Sequence, residues 1–269
     1  MRNSELVFSN LVSVLSSLGP CAVAFSGGVD SSVLARAAVE AAKVNGWDVL
    51  ALTAESPSMP RAAVEEIRQT AAEIGIPHAF VSTEELTLPE YRANPRERCF
   101  FCKRHILGKL RAAAEARGFS VLVEGSNADD LGDFRPGYRA VQENGVRRPL
   151  MEAGMTKADV REAARFWGLS TAEKPSTPCL ASRIAYGVEI TSERLRKIEL
   201  AEAFLQTWGV SPLRVRVHEN DLARIETTPE WMPTLLERRE ELTAELKKIG
   251  FSWVSLDLEG FRSGSLNQG

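Results

Sequence analysis

Several features that would define a narrow class of protein are scarce in this sequence. Its apolar runs fall short of the ~18–20 residues that cross a bilayer. Four cysteines among 269 residues are too few and too uneven for a disulfide scaffold. A net charge of −3 gives no electrostatic reason to expect a nucleic-acid partner, and 44% apolar content excludes collagen-like, mucin-like and disordered chains. What remains is a globular chain long enough for one large or two modest domains.

The N-terminal stretch from Leu6 to Phe25 has no charge, and its Ala-Val-Ala at 22–24 imitates a signal-peptidase site. Apolar residues recur there at helical spacing as far as Leu18, and Gly-Pro follows. This spacing predicts a helix and then a short strand instead of a secretory leader. We therefore expect a cytoplasmic protein with no membrane partner.

Short apolar segments alternate with helical ones through the first two thirds of the chain. Strands are predicted at 23–25, 48–54, 78–82 and 121–124, and helices at 31–43, 61–74 and 103–116. This order predicts an α/β fold, a parallel sheet with helices on both faces, whose ligands bind at the carboxyl ends of the strands. The stretch 127–149 is predicted as a long functional loop, and Thr156 with Asp159 as the capping box of a helix at 157–167.

The pattern changes after an irregular, proline-rich stretch at 173–190. A helix at 191–208, a strand at 213–218, a helix at 230–249 and a strand at 252–258 predict a smaller α+β domain. We place the domain boundary so that 1–180 form the first domain and 181–269 the second.

A glycine-rich turn links the first predicted strand to the following helix. Paired glycines let backbone N–H groups approach an anion, serines add donors, and the helix N-terminus favours negative charge. An aspartate beside a phosphate indicates an intervening Mg²⁺. A plain glycine turn is the alternative, and the lysine of a Walker A loop is missing. The candidate nucleotide-binding residues of this turn are Ser26, Gly27, Gly28, Asp30, Ser31 and Ser32.

This S-G-G-V-D-S turn resembles the PP-loop of the ATP pyrophosphatases, which cleave ATP between the α- and β-phosphates and adenylate a substrate oxygen. The resemblance implies that the turn holds pyrophosphate. It also implies that the end of the second strand, with Thr53 and Glu55, lies against adenine. The segment Glu124–Asp130, with Gly125, would be a second loop facing the nucleotide.

Three cysteines lie in segments that suggest a chemical role for their thiols. Cys179 stands in an irregular loop four residues before Arg183, and Lys174 precedes it, so a lowered thiol pKa and a nucleophilic thiolate are expected. Cys99 and Cys102 form a C-x-x-C, which favours metal or redox chemistry. The alternative for each is a structural cysteine, as we expect for Cys21 in the first strand.

Blocks along most of the chain are similar to the LarE family of ATP-dependent sulfur transferases, which make the nickel-pincer nucleotide cofactor of lactate racemase. The P-C-L-A-S-R and R-S-G-S-L-N blocks are the most selective of them. The blocks lie at 26–31, 94–103, 124–130, 135–137, 178–183, 214–218 and 260–267.

The resemblance implies that ATP adenylates a carboxylate of pyridinium-3,5-biscarboxylate mononucleotide, which then becomes a thiocarboxylate. In one type of member, the cysteine matching Cys179 gives up its own sulfur and is left as dehydroalanine. In another, three cysteines ligate a [4Fe-4S] cluster that carries an exchangeable sulfide, and Cys99, Cys102 and Cys179 would be those ligands. A zinc site is the rival reading of the same cysteines.

Basic residues at the family's anion-binding positions complete the candidate site. Arg214 and Arg216 lie two apart on one strand and therefore on one face, where they could grip a substrate phosphate. Glu202 is weakly matched to a metal-site glutamate and could equally be a surface charge. Further nucleotide or substrate contacts are expected from Arg135, Arg183 and Arg262.

The leading hypothesis is thus a sulfur transferase that uses ATP and Mg²⁺ on a small nucleotide, within a homo-oligomer. A tRNA thiolase of the same superfamily is the first alternative, although the acidic net charge argues against it. A non-catalytic regulator that binds AMP or ATP is the second. It would bind the nucleotide without releasing pyrophosphate.

Overall fold

A computed structural model describes residues 4–132, 136–175 and 178–262. The helices are α1 Ser4–Leu18, α2 Val29–Asn45, α3 Arg61–Ile74, α4 Pro89–Arg92, α5 Arg98–Glu115, α6 Pro136–Glu143, α7 Pro149–Glu152, α8 Lys157–Phe166, α9 Ser192–Thr207, α10 Met232–Glu237 and α11 Arg239–Ile249. The strands are β1 Cys21–Ala24, β2 Val49–Glu55, β3 His78–Ser82, β4 Val121–Val123, β5 Leu213–His218, β6 Leu222–Thr227 and β7 Trp253–Leu256.

The chain divides into two compact units. The first comprises Met1–Glu85 and Cys99–Thr177, and the second Leu86–Arg98 and Pro178–Gly269. The boundary between 180 and 181 stays a prediction. The assignment of a short upstream segment to the second unit is a feature that the sequence pattern did not indicate.

The first unit is built on a parallel four-stranded sheet in the order β3-β2-β1-β4. Alternate residues of β1 enter different apolar clusters. Cys21 and Val23 pack with α1, α2 and α8, whereas Ala22 packs with α5 residues such as Leu107. Because side chains alternate between the faces of a strand, the sheet is covered on both sides. The predicted α/β fold is confirmed.

The second unit contains a three-stranded sheet in the order β5-β6-β7, with β5 and β6 antiparallel and β6 and β7 parallel. Its upstream segment is held by Asn94, which is fully buried and whose amide donates to the carbonyls of Ala185 and Val188 at 2.8 and 2.9 Å. The Asn94 carbonyl oxygen of the side chain accepts from Arg98 at 2.7 Å. These bonds attach residues 86–98 to the loop that precedes α9.

Some predicted elements differ from the observed ones. The stretch 127–149 was predicted as a loop, but a 3-10 helix at Ala128–Gly132 and helix α6 lie within it. The helix predicted at 230–249 is interrupted at Arg238, between α10 and α11. Strand β6 was not predicted at all. The helix at 157–167 does begin with a complete capping box between Thr156 and Asp159.

Among the described residues, none of the helices combines the length and apolar character that crossing a membrane requires.

Candidate active site

The glycine turn joins β1 to α2 at the carboxyl end of the parallel sheet. Gly27 adopts a positive φ of 68°, and a Cβ at this position would lie 2.8 Å from Cγ1 of Ile67. Gly28 is the N-cap of α2 and supplies no side-chain cap. The first N–H groups of α2 are therefore left for another acceptor, which is the arrangement that binds phosphate at a helix N-terminus.

Serine side chains brace this turn from within. The Ser31 hydroxyl donates to the Gly28 carbonyl at 3.0 Å and accepts from the Ser26 N–H at 3.2 Å. Since its hydrogen is directed to Gly28, the Ser26 hydroxyl 3.2 Å away is the donor between the two hydroxyls. The Ser32 hydroxyl is fully buried and has no hydrogen-bond partner in the part of the chain described here.

Asp30 is the charged residue at the head of α2. One carboxylate oxygen accepts from the Asn127 amide at 3.0 Å, and the other is paired with the ammonium of Lys157. A half-buried carboxylate one residue past the glycines is an oxygen ligand of the kind Mg²⁺ takes, so the residue fits the predicted metal. Lys157 supplies a counter-charge to this carboxylate.

Two lysines from distant parts of the sequence therefore serve a turn that contains none. Lys157 stands at the first position of α8 and its backbone N–H donates to Asp129 at 2.8 Å. Lys174 has its ammonium 3.5 Å from the Gly27 carbonyl and 2.8 Å from a Glu66 carboxylate oxygen. Both belong to the first unit, and both could reach phosphate oxygens bound at the turn.

The loop after β4 approaches the same helix end. A Cβ on Gly125 would lie 3.1 Å from the Ser31 nitrogen and 3.2 Å from the Asp30 carbonyl carbon, so this glycine permits a close backbone approach. Glu124, next to it, pairs with Lys103 at 3.0 Å. The second loop predicted to face the nucleotide thus lies against the first.

Thr53 and Glu55 differ in environment. The Thr53 hydroxyl is buried and donates to the Phe25 carbonyl at 2.7 Å, so it ties β2 to the start of the glycine turn. His78 lies 2.7 Å from the same oxygen and must donate to it, because the threonine hydrogen is already used. Burial, then the charge of Arg68, lowers the pKa of His78. Glu55 is exposed at the strand end.

The cysteines occupy three kinds of environment. Cys99 and Cys102 lie in the first turns of α5, one exposed and one half-buried, and Cys179 is exposed in the second unit. Two thiols at i and i+3 on a helix fit a pair of ligands for one centre. Over the described ranges, no group of three or more His, Cys, Asp or Glu side chains is placed to hold a metal ion. The cluster and zinc readings stay predictions.

Cys21 behaves as the structural cysteine that was expected. It lies in β1 within the core of the first unit, and burial raises the pKa of its thiol to about 11.

The loop that carries Cys179 is shaped by Arg183. The guanidinium donates to the Pro178 and Cys179 carbonyls at 2.5 and 3.0 Å and forms a two-bond ion pair with Glu202. Glu202 also accepts from the Val215 N–H at 3.0 Å, so it is buried and not a surface charge. Nucleotide binding by Arg183 stays a prediction, since a contact would require it to exchange one of these partners.

The predicted anion-binding arginines lie on the sheet of the second unit. Arg214 stacks over the Phe261 ring at 5.3 Å, and burial, then neighbouring Arg183, lowers the pKa of its guanidinium. Arg216 is buried and donates to the Ser182 carbonyl and to Glu226 at 2.9 and 2.8 Å. Neither residue lies on a solvated edge.

Arg262, a further arginine expected to contact the nucleotide or the substrate, pairs with Glu259 at 2.5 Å. Arg135 and the block Ser263–Asn267 lie outside the described residues.

The motifs missed Lys157 and Arg224, the latter of which faces Arg216 across the strands, whereas Asn127 lies in the predicted second loop. For Lys157, the capping box was a usable signal because it placed a lysine at the head of a helix. The pairing of Arg224 had no comparable signal.

Fold and turn together define an ATP-using domain of the PP-loop kind. A family model for asparagine synthase matches residues 9–245. The NMN synthetase of Francisella tularensis has a similar fold, with a TM-score of 0.52 over 77% of this chain and 87% of that protein, at 18% identity.

Sequence similarity to curated proteins identifies a smaller family within the PP-loop proteins. The chain is 41% identical to an uncharacterised protein of Synechocystis sp. over 98% of both chains. It is 32% identical to the pyridinium-3,5-bisthiocarboxylic acid mononucleotide synthase of Lactiplantibacillus plantarum, over 96% of this chain and 93% of that one. A tRNA-specific 2-thiouridylase of Heliobacterium modesticaldum matches 58% of this chain at 31% identity. The chain belongs to the LarE family of sulfur transferases within the PP-loop superfamily.

Proposed function

We propose that this protein uses ATP to adenylate a carboxylate of pyridinium-3,5-biscarboxylate mononucleotide and converts it to a thiocarboxylate. The observation that carries the proposal is the combination of the glycine turn and its two lysines with full-length similarity to a bisthiocarboxylic acid mononucleotide synthase. Sulfur transfer to this substrate requires an activated carboxylate, because a free carboxylate has no adequate leaving group.

In the adenylation step, a substrate carboxylate oxygen attacks the α-phosphorus of ATP. The bond from that phosphorus to the bridging oxygen breaks, and pyrophosphate leaves with both electrons. The uncapped N-terminus of α2 and the ammonium groups of Lys157 and Lys174 would hold the departing pyrophosphate. Asp30 would hold Mg²⁺, which when bound neutralises charge on the phosphates.

In the sacrificial form of the transfer step, the Cys179 thiolate would attack the acyl carbon and AMP would leave, which gives a thioester. Loss of the Cys179 α-proton then breaks the bond between Cβ and sulfur, which leaves dehydroalanine on the chain and a thiocarboxylate on the product. Exposure of Cys179 in an irregular loop supports this role, since an attacking thiol must reach its substrate.

We propose the cluster route as the favoured source of sulfur and sacrifice of Cys179 as its competitor. The pair of thiols at Cys99 and Cys102 supports the cluster, because the sacrificial route has no use for them. Held by these two and Cys179, a [4Fe-4S] cluster would supply an exchangeable sulfide to the acyl carbon.

One preparation distinguishes the two routes. Protein purified without oxygen is expected to be brown and to contain iron, and Cys99→Ser should lose both the colour and sulfur transfer. A colourless wild type that loses the mass of one H₂S per chain in a single turnover would instead establish sacrifice of Cys179. In either case Cys179→Ala should still release pyrophosphate but form no thiocarboxylate.

Thiol labelling of the native protein provides a control for the experiment with Cys179→Ala. Iodoacetamide should modify Cys179 in the native protein at pH 8 and leave Cys21 intact, because the pKa of Cys21 near 11 keeps it protonated and burial excludes the reagent. Labelling of Cys21 at the same rate as Cys179 would show that the native core is not intact.

A tRNA thiolase is the second candidate, favoured by the partial match to a 2-thiouridylase. It predicts salt-sensitive binding of tRNA in a gel shift and thiolation of a uridine. Absence of binding at low salt would leave the mononucleotide as the substrate.

A further inference from the structure

Charges of opposite sign alternate across one face of the second unit's sheet. The antiparallel register places Arg216 of β5 opposite Arg224 of β6. Glu226, fully buried, accepts from Arg216 at 2.8 Å with one oxygen and from Arg224 at 2.9 Å with the other. One carboxylate therefore fixes two guanidinium groups on neighbouring strands.

The alternation continues beyond β7. One Asp257 oxygen lies 3.6 Å from Nε of Arg224 and 3.9 Å from the guanidinium of Arg262. The Asp257 side chain is only 10% exposed. Since both bridging carboxylates are shielded from water, the arginines they hold keep a defined orientation.

This face carries more positive than negative charge. Three arginines alternate with two buried carboxylates, and Arg214 adds a fourth guanidinium above Phe261. Of the remaining carboxylates, Glu259 is 71% exposed and screened by solvent, and Glu202 is already paired with Arg183. Burial, then the neighbouring cations Arg183 and Arg216, lowers the pKa of Arg214 against the opposing effect of Glu202 and Glu226. A bound dianion would balance the charge.

Buried nitrogen atoms on the same face lack hydrogen-bond partners among the described residues. They are Nε of Arg224, Nε of Arg262 and Nε2 of His218. His218 is on β5, two residues from Arg216 and therefore on the same side of the strand. Buried donors without acceptors are costly, so the two guanidinium Nε–H groups on one charged face indicate a ligand that supplies oxygen atoms. Nε2 of His218 adds a third donor in the tautomer that carries its hydrogen.

Among the arginines of these ion pairs, Arg224 and Arg262 carry the more accessible guanidiniums, and the sequence motifs identified only Arg262 of the two. Arg216 is 7% exposed and both of its terminal nitrogens are engaged, whereas Arg224 is 28% exposed. A ligand reaching the face from solvent would meet Arg224 before Arg216.

We propose that Arg224, with Arg262 and His218, forms a phosphate-monoester subsite that extends the anion site predicted at Arg214 and Arg216. A phosphate monoester carries about two negative charges near neutral pH and three terminal oxygens, which matches the charge excess and the donors. This inference deepens the proposed function, on which it rests only for the identity of the bound molecule, a mononucleotide substrate.

The direct test measures binding of inorganic phosphate by calorimetry at low ionic strength. Arg224→Gln is expected to weaken it about tenfold to a hundredfold, the range for losing a charge-assisted hydrogen bond. Arg224→Lys should recover part of this loss, because lysine restores the positive charge but not the planar set of N–H donors of the guanidinium. The matched control is Arg196→Gln, an exposed arginine in the same unit paired with Glu199 on α9, which should bind phosphate as the wild type does. Equal binding by Arg224→Gln and wild type would overturn the proposal.

A comparison of ligands identifies what the subsite recognises. Ribose 5-phosphate should bind the wild type and lose affinity in Arg224→Gln by the same factor as inorganic phosphate. Ribose should bind neither protein. If inorganic phosphate is sensitive to Arg224 and ribose 5-phosphate is not, the subsite does not recognise monoesters and the proposal fails.

Footprinting of the wild type covers the case in which the variants do not fold. Phenylglyoxal should modify Arg224 more slowly in the presence of phosphate, while the rate at Arg196 should stay the same. Equal modification of Arg224 with and without phosphate would overturn the proposal in the intact protein.

Failure of this subsite is distinguishable from failure of the proposed function. Binding of ATP depends on the glycine turn of the first unit, so Arg224→Gln should bind ATP with unchanged affinity. A wild-type protein that binds phosphate through Arg224 yet never forms pyrophosphate would retain the subsite and reject the sulfur-transfer chemistry.

Discussion

The glycine turn of the first unit and the charged sheet face of the second both suit phosphate, but they are built differently. The turn presents backbone N–H groups and is braced by serines within a few residues of one another. The sheet face presents guanidiniums held by buried carboxylates on neighbouring strands. The turn itself is therefore determined by contacts within one short segment, whereas the sheet face is determined by pairing between neighbouring strands.

Because of this difference, we expect the charged residues of the turn to contribute mainly to activity and those of the sheet face mainly to stability. Asp30 and Lys157 are partly exposed, at 27% and 40%, so their pairing contributes little to folding. Glu226 is fully buried between two arginines, so its removal leaves charge without compensation.

The largest effect is expected at Asp30. Asp30→Ala should reduce pyrophosphate release about a thousandfold, because the carboxylate that would hold the metal is lost. The free energy of unfolding should fall by about 1 kcal/mol or less. Turnover measured with excess Mg²⁺ and unfolding in urea test the two parts. Near-wild-type turnover would remove Asp30 from the mechanism.

The converse variant is Glu226→Ala. We expect it to lower the free energy of unfolding by about 3–5 kcal/mol, since Arg216 would remain buried without its counter-charge. Glu241→Ala removes the acidic partner of an exposed pair with Arg238 and should leave the unfolding curve unchanged. A loss at Glu226 no greater than at Glu241 would contradict the comparison of the two units.

The two glycines of the turn provide the next test. Gly27→Ala should cost about 2–4 kcal/mol, because an alanine would be strained at positive φ and would collide with Ile67. Gly28→Ala should cost only about 1 kcal/mol, since its φ is −87° and its nearest neighbour is 3.5 Å away. Thermal unfolding of both variants measures the difference. Equal costs would mean that the turn is not conformationally restricted at Gly27.

The smallest effect concerns the cap that places Lys157. Thr156→Ala should lower the free energy of unfolding by about 1 kcal/mol, because it removes the acceptor of the Asp159 N–H. Thr243→Ala, on α11, is the control and should be close to neutral. A smaller cost at Thr156 than at Thr243 would argue against a cap that contributes to stability.

The elements that the sequence predicted share a local signal. Strand β1, the glycine turn and α2 follow from an apolar run, two glycines and helical spacing, and the start of α8 follows from a capping box. Strand β6 has no such signal, because the buried Glu226 interrupts the apolar pattern and Asn220 begins the turn at positive φ. The break at Arg238 likewise has neither glycine nor proline to mark it.

The same distinction applies to the candidate site. Serines and glycines of the turn were identified because their spacing is short and fixed. Lys157 is 127 residues from Asp30, and Arg224 meets Arg216 only through strand pairing, so neither could be found by spacing alone. For Glu202, a metal-site glutamate and a surface charge were both left open, because its buried partner, Arg183, lies in an irregular loop that gives no signal of the pair.

The central claim is that ATP is cleaved between its α- and β-phosphates to activate a carboxylate for sulfur transfer. Incubation of the protein with γ-labelled ATP, Mg²⁺ and the pyridinium biscarboxylate mononucleotide tests it most directly. We predict label in pyrophosphate, formation of AMP, and a product heavier by the exchange of one oxygen for sulfur. Label in inorganic phosphate with formation of ADP would contradict the account.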